Sequence, residues 1–485
     1  VYVFLFYISH RVAVRILPEL KGVFMKKSLC AIGISFAISS VVSALEISQD
    51  FGLAMSQDSG RSRVIITFRD KINREKLSSK GSAAEVQRSL QANFTASSKE
   101  FRSFLSRLED SGRIQTVSEL WAANAMVVDA DNDLLEELSS VPDIAHLSLD
   151  RVIPLEELPE NSGEEVLEED YTYGLKMLGV DKIRKSYGLT GKGVVVGILD
   201  SGIDATHKDL AGKVKLWKDF AGNSETPTDG IAHGTHCAGT ISGGNASGKQ
   251  IGVAPGVKLI VGRIFGDTGS ASLAGILEAM NWIADPDGNP NTNDAPRLIS
   301  NSWGGRQGSM ESEKSMWNLV QTWRSLNIVP VFAAGNSGPW PKTVGTPGGY
   351  PHSYAVGATD SRDQIARFSS RGPIAWDGKD YIKPDISAPG VDIYSTTPGG
   401  NYRKMSGTSM ACPHMSGVIA LMLEANPALT VVKVEELLNS TAKDLGEKGK
   451  DSVFGHGRAD AFAVIQKIKD KKSVERKDMF DQMFE

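Results

Sequence analysis

Cysteine is scarce in this chain. Its 485 residues include three, Cys30, Cys237 and Cys412. That is too few for a disulfide framework, and no Cys-x-x-Cys spacing suggests a structural zinc site. A strong excess of one charge is also missing. Against 58 acidic side chains stand 53 basic ones, for a net charge of −5, and no basic stripe is interleaved with aromatics. Nucleic acid is therefore not an expected partner. Only one long apolar run appears, Leu29 to Val42, and it is too short for a comfortable membrane span. These absences exclude a disulfide-stapled scaffold, a nucleic-acid binder and a stable membrane-spanning chain.

What is present is ordinary in composition and rich in glycine, which clusters between Gly188 and Gly457 and implies tight turns and close backbone approaches. The length suggests two or three domains, one of them large. Met25-Lys26-Lys27, the apolar run and Val42-Ser43-Ala44 together read as a signal peptide over residues 25–44, cut after Ala44. The expected address is secreted or periplasmic. Residues 1–24 do not fit that pattern, and we expect translation to start at Met25, with the upstream stretch a mis-called extension.

Residues 45–153 alternate in a way that predicts a small α+β domain. Val64–Phe68 reads as a strand, Ala83–Leu108 as helix throughout, Ile114–Asp129 as strands, Asp131–Ser140 as a short helix capped by Asp131 or Asn132, and Ile144–Leu149 as a strand. That order suggests a ferredoxin-like split βαβ unit. Residues 154–172, with Glu156, Glu157, Glu160, Glu164, Glu165, Glu168, Glu169 and Asp170, have little to bury and read as a solvated linker with a processing site.

From about residue 173 to 466 the chain changes character. Val194–Leu199, Val257–Ile264, Leu298–Asn301, Ile328–Ala334 and Tyr354–Ala358 are continuous apolar runs of the kind buried on both faces in parallel sheets. Helical stretches such as Leu273–Ile283 and Ser312–Leu326 lie between some of them. The prediction is an α/β fold with a doubly wound, mostly parallel sheet, with ligands beyond the carboxyl ends of its strands. Asp200 follows the first run directly. The charged tail, residues 467–485, fits a frayed helix, a cleaved extension or a contact surface equally well.

Three further stretches carry chemistry. Ala232-His233-Gly234-Thr235-His236-Cys237-Ala238-Gly239-Thr240 is a small-residue helix with two histidines. Alone, it fits a structural histidine, or a metal pair without its third ligand. Ala334-Gly335-Asn336 places an amide after a buried strand, where a turn asparagine would serve as well. Gly407-Thr408-Ser409-Met410-Ala411-Cys412-Pro413-His414 precedes a buried helix. It reads equally as a start capped by Thr408 and Ser409 or as an exposed nucleophile beside free N–H groups.

Taken together, the order Asp200, His233, Ser409, with Asp200-Ser201-Gly202, His233-Gly234-Thr235-His236 and Gly407-Thr408-Ser409-Met410-Ala411, resembles the subtilisin-like serine proteases. Ala334-Gly335-Asn336 resembles that family's oxyanion segment. Ser300–Gly305 looks more like the bacillopeptidase F branch, while His-Gly-Thr-His-Cys is similar to proteinase K. The resemblance implies a secreted serine endopeptidase made as a zymogen. In it His233 acts as general base, Asp200 as its orienter, Ser409 as nucleophile and Asn336 as oxyanion donor. It implies a substrate strand held by Ser302, Trp303 and Gly304 on one side and by Ala334 and Gly335 on the other. Gly345 would lie at the base of an uncharged pocket for large apolar side chains. The small domain resembles an inhibitory propeptide. No cofactor is required, although the family often carries a structural calcium, for which Asp209 and Asn245 are the residues that match. We expect a monomer acting on polypeptides. A silent binding protein of the same shape would lack one of these groups, and an esterase would want Gly-x-Ser-x-Gly. Cys237 and Cys412 are expected as buried thiols rather than a disulfide.

Overall fold

The structure, a computed structural model, describes residues 46–55, 60–77, 81–108, 111–161, 170–306, 308 and 313–471. The expected signal segment, the stretch before it, Cys30, the middle of the acidic linker and the end of the tail lie outside the described residues.

The chain forms two units. The first contains strands β1 (Glu46–Ile47), β2 (Arg61–Phe68), β3 (Ile114–Leu120), β4 (Ala125–Asp131) and β5 (Ile144–Leu149), with helices α1 (Gln49–Met55), α2 (Ala83–Ser97), α3 (Lys99–Leu108) and α4 (Leu135–Ser139). Its sheet runs β1-β5-β2-β4-β3, and β2 is antiparallel to both neighbours. The four strands β2 to β5 thus have the ferredoxin-like order expected. The expected single helix over 83–108 is two, broken at Ser98, whose hydroxyl turns back to the Phe94 carbonyl at 2.7 Å. Asp131 stands before the short helical segment but makes no capping bond with its side chain. The pleat sends alternate residues to opposite faces: Val64 and Ile66 pack in the unit's own core, and Ile65 in the cluster it shares with the second unit.

The second unit is built on seven parallel strands. After β6 (Val152–Pro154), they include β7 (Val195–Asp200), β8 (Val214–Asp219) and β9 (Lys258–Arg263). Past the short β10 (Ser270–Ser272) come β11 (Leu298–Asn301), β12 (Val329–Ala333) and β13 (Tyr354–Thr359). The hairpin strands β14 (Ile374–Trp376) and β15 (Lys379–Tyr381) precede β16 (Ile386–Pro389), and β17 (Ile393–Thr397) pairs with β18 (Asn401–Met405). The sheet order is β16-β13-β12-β11-β7-β9-β8, the doubly wound α/β architecture predicted.

The helices are α5 (Tyr173–Leu178), α6 (Val180–Tyr187), α7 (His233–Ser242), α8 (Leu273–Trp282), α9 (Lys314–Ser325), α10 (Thr408–Ala425), α11 (Val431–Thr441) and α12 (461–471). Alternation along the strands decides which face each helix covers. Val196, Ile198, Val329 and Val331 join α7 and α10 in one core, while Leu199, Ile299 and Phe332 join α8 and α9 in the other. Helix α10 is buried on every side, as an all-round apolar helix must be. Helix α12 carries the chain past residue 466, and Ile468 is buried in the same core.

The first unit sits on α8 and α9. Asn281 Oδ1 accepts from the Ala122 N–H (2.9 Å), Asn318 Nδ2 donates to the Ala123 carbonyl (2.9 Å), and the Ser118 hydroxyl donates to Glu278 (2.9 Å). Asp150 accepts from Ala274 N–H in the first turn of α8 at 2.9 Å, where a carboxylate complements the helix dipole.

Candidate active site

The carboxyl end of β7 delivers Asp200, and the first turn of α7 delivers His233. Asp200 Oδ1 lies 2.7 Å from His233 Nδ1 and also accepts from the Ser201 N–H at 2.7 Å. Both side chains are almost wholly buried. The start of α7 is fixed by Asp229. Its Oδ1 accepts from Ser201 Oγ and from the Ile231 and Ala232 N–H groups, and its Oδ2 accepts from the N–H and hydroxyl of Thr235, all within 3.1 Å. Ala232 just before His233 is held at φ +74°, a conformation that costs a non-glycine residue energy and that these bonds offset. The sequence reading passed over Asp229. An acidic residue four positions before His233, ahead of a helix, was the available signal.

Ser409 occupies the first turn of α10, where N–H groups lack intrahelical partners. Pro413 one turn on has no N–H, which leaves the Ser409 carbonyl free. Ser302 Oγ donates to that carbonyl at 2.9 Å, and Cys237 Sγ lies 3.4 Å from it. The Ser409 hydroxyl in turn donates to the Ser302 carbonyl at 3.0 Å. Cys237 Sγ is also 3.9 Å from His233 Nδ1, so the histidine helix and the serine helix meet at this thiol. His233 Nε2 has no hydrogen-bond partner.

Asn336 follows β12. Its Oδ1 accepts from both the N–H (2.9 Å) and hydroxyl (3.0 Å) of Thr408, which fixes the amide and leaves Nδ2 without a partner. A buried donor with no acceptor is costly, and one beside the start of α10 is placed as a developing oxyanion would need it.

Burial works against a charged His233, but the Asp200 carboxylate and the Cys237 sulfur outweigh it and hold its pKa well above 6.5. His236, one turn along, behaves oppositely. It is buried with Nε2 on the carbonyls of Ile393 (2.9 Å) and Arg403 (3.1 Å), and burial pushes its pKa down to about 3. It is a neutral structural group. Cys237 and Cys412 are both buried free thiols, and burial pushes the Cys412 thiol up to about 12.

Beyond these residues lies a cleft of about 730 Å³. Trp303, Gly304, Ala334, Gly335 and Gly345 are part of its lining, and Ser302, which precedes Trp303, is bonded to Ser409. Gly345 is required by space, because a Cβ there would lie 2.3 Å from the Gly305 carbonyl oxygen. The cleft as a whole is not free of charged groups. Arg306 and Lys342 line it, and so does Glu156, whose carboxylate accepts from the Asn336 N–H at 2.8 Å. Residues 154–161 are accordingly not a solvated linker. Leu155 N–H donates to the Gly269 carbonyl at 2.8 Å, and β6 pairs antiparallel with β10.

The residues expected at a calcium ion do not fit one. Asp209 Oδ1 accepts from the Ala246 N–H (2.7 Å) and Oδ2 from the Tyr402 hydroxyl (2.6 Å). Asn245 is exposed. Both carboxylate oxygens thus already serve donors, where calcium needs six to eight oxygen ligands. Among the described residues, two groups bring ligand-type atoms within 4.8 Å: Asp200, His233 and Cys237, and the loop carboxylates Asp285, Asp287 and Asp294. No helix among the described residues is long and apolar enough to cross a membrane.

Comparison with known proteins agrees with this geometry. The model of the Subtilase family matches residues 191–457. Bacillopeptidase F of Bacillus subtilis is 33% identical over 461 residues, covering 84% of this chain but 31% of that relative, so the chain spans about a third of its length. Subtilisin E of the same organism is 34% identical over 361 residues, 74% of this chain and 84% of that relative. Serine protease AprX, also from B. subtilis, is 38% identical over 309 residues, 58% of this chain and 67% of that relative.

Proposed function

The chain belongs to the subtilase family and is a serine endopeptidase, and on that premise we propose that it is made as a zymogen whose Asp200-His233-Ser409 triad cuts polypeptides through an acyl-enzyme. The observation that carries the reading is the buried His233–Asp200 pair at 2.7 Å, with His233 Nε2 unpartnered beside the helix that holds Ser409.

Serine is a weak nucleophile at its own pKa, so His233 takes its proton as Oγ attacks the carbonyl carbon. Oγ first leaves the Ser302 carbonyl it rests on. Asp200 keeps the proton of the imidazole on Nδ1 and stabilises the imidazolium that forms. Asn336 Nδ2 and the Ser409 N–H take up the negative charge on the oxygen. The proton then passes from His233 to the leaving amine, and water repeats the sequence on the ester. The substrate lies as an extended strand between Ser302-Trp303-Gly304 and Ala333-Ala334-Gly335, and backbone pairing gives affinity with modest sequence demand. The buried walls Trp303 and Val344 suit a large side chain before the scissile bond.

Residues 45–153 act as propeptide, inhibiting the catalytic unit and aiding its folding. The contacts to α8 and α9 and the strand that continues into the cleft support this. The mature protein is secreted or periplasmic, monomeric and in need of no cofactor. Labelling by a fluorophosphonate probe tests the assignment. Wild type is expected to label and Ser409→Ala not to. Equal labelling of both, or of neither, would count against Ser409 as the nucleophile.

A further inference from the structure

The segment in the cleft is not a generic strap. Its side chains alternate in environment as an extended strand requires. Glu156 points into the pocket beside Asn336, and Glu157 is exposed. Leu158 packs with the cluster that contains Met405, Met410 and Cys237, its Cδ2 3.2 Å from where a Cβ of Gly407 would stand. Farther on, Asn161 Nδ2 donates to the Lys404 carbonyl (3.0 Å) and its Oδ1 accepts from the Ser406 hydroxyl (2.9 Å). The chain is therefore anchored on both sides of Ser409, by β6 and Glu156 before it and by Leu158 and Asn161 after it. Between these anchors the stretch from Glu156 to Leu158 passes the start of α10, where Ser409 stands.

The pocket's end is polar where the sequence suggested apolar. The Glu156 carboxylate takes the Asn336 N–H at 2.8 Å with the Ser337 side chain close beside it, and Arg306 and Lys342 line the same cavity. An apolar side chain there would offer the Asn336 N–H no acceptor, and a hydrogen bond to a charged group would be lost. Discrimination of this kind is stronger than one built on size alone.

We propose that this pocket is built to receive a glutamyl side chain, so that Ser409 cuts its own chain between Glu156 and Glu157 and prefers glutamate, or its amide, before the scissile bond of other polypeptides. In the self-cleavage the Glu156 C–N bond to Glu157 breaks and a Ser409 Oγ–carbonyl bond forms. The serine proton passes through His233 to the new Glu157 amine, and water then releases the Glu156 carboxylate and restores the serine. Burial raises the Glu156 carboxyl above its ordinary value against the pull of the Asn336 and Ser337 bonds. An amide oxygen can accept the Asn336 N–H as the carboxylate oxygen does, so glutamine suits the same position.

The inference rests on the endopeptidase reading above, and the experiment separates the two. Full-length wild type, Glu156→Gln, Glu156→Lys and Ser337→Ala are each incubated, and the earliest product is sequenced from its N-terminus. In parallel, each is labelled with a fluorophosphonate, and the processed enzyme is given a peptide set that varies only the residue before the scissile bond. The expected new N-terminus is Glu157. Self-cleavage should persist in Glu156→Gln and slow by about tenfold or more in Glu156→Lys. Glutamyl peptides should be cut about tenfold faster than lysyl ones, and Ser337→Ala should lower the ratio of glutamyl to leucyl cleavage by about tenfold. A labelled enzyme whose first cut lies elsewhere, or which prefers leucyl to glutamyl peptides, overturns this inference and leaves the endopeptidase standing. Absence of labelling overturns both.

Discussion

At the scale of single residues, the site depends on atoms kept without partners. Asn336 Nδ2 has no acceptor because Thr408 holds the other end of the amide. Replacing Asn336 with alanine should lower kcat by about 100- to 1,000-fold, about 2.7–4 kcal/mol by a figure that itself comes from a subtilisin, with KM little changed. Steady-state kinetics on a peptide substrate decides it, and an unchanged turnover number would rule the residue out as an oxyanion donor. His233 carries a second expectation. Its pKa is held well above 6.5, chiefly by Asp200 against the effect of burial, and a general base works only when neutral. Activity should therefore rise with pH, with the acid limb of kcat/KM above 6.5, and Asp200→Asn should move that limb downward as well as depress the rate. A limb in wild type at or below 6.5 would contradict the coupling. Both residues were legible in the sequence because their neighbours are so restricted. Asp229 and Ser337 were not, since the groups they meet, Ser201 and the α7 start for one and Glu156 for the other, are brought near only by the fold.

At the scale of elements, the core strands were read correctly because they are buried on both faces, which makes them continuous apolar runs. The strands missed are those to which that rule does not apply. β8 is half exposed, with Lys215 and Lys218 in it, and β18 carries Arg403 and Lys404. β16 is short and ends in proline. Helix α7 shows how tightly the readable elements are fitted. A Cβ on Gly239 would lie 2.1 Å from Thr396 Oγ1 and 2.4 Å from Ser395 Oγ. These hydroxyls cannot swing aside freely, because they donate to the Thr235 and His236 carbonyls at 2.8 and 2.9 Å. Gly239→Ala should destabilise the protein by about 1–3 kcal/mol through overpacking, lowering Tm by roughly 2–10 °C. Activity should fall with it, because the same helix presents His233. Thermal unfolding of the Ser409→Ala background, in which self-digestion cannot interfere, gives the clean reading. A Tm that does not move would mean that α7 and β17 part more easily than their hydrogen bonds imply.

At the scale of the whole molecule, the acidic stretch after β6 misled because composition reports solubility and not placement. Eight acidic residues in a row of seventeen look solvated, and nothing local reveals that Glu156 lies in a cleft formed by residues 150 to 200 positions away. The same long-range arrangement bears on how strongly the two units would hold together were the connection cut. Glu278 of α8 faces Ser118 of the small unit, and Asp285 accepts from Gln87 of α2. Burial pushes both carboxyls above their ordinary values, more than the hydrogen bonds from Ser118 and Gln87 lower them. Groups whose pKa is raised in the assembled state bind protons more tightly there than when separated. Association is then fully favoured at pH below their ordinary carboxylate values and weakens as pH rises through the raised ones. With the connection cut, the small unit should co-elute with the large one near about pH 4, an ordinary carboxylate value, and separate increasingly toward about pH 8. Gel filtration of the processed wild type at matched salt measures this. Glu278→Gln, which removes one of the two titrations but keeps an acceptor for Ser118, should weaken the dependence. Equal retention at both pH values would show that the packing of Ile65, Leu120 and Val127 against α8 and α9 holds the units together without help from these carboxyls.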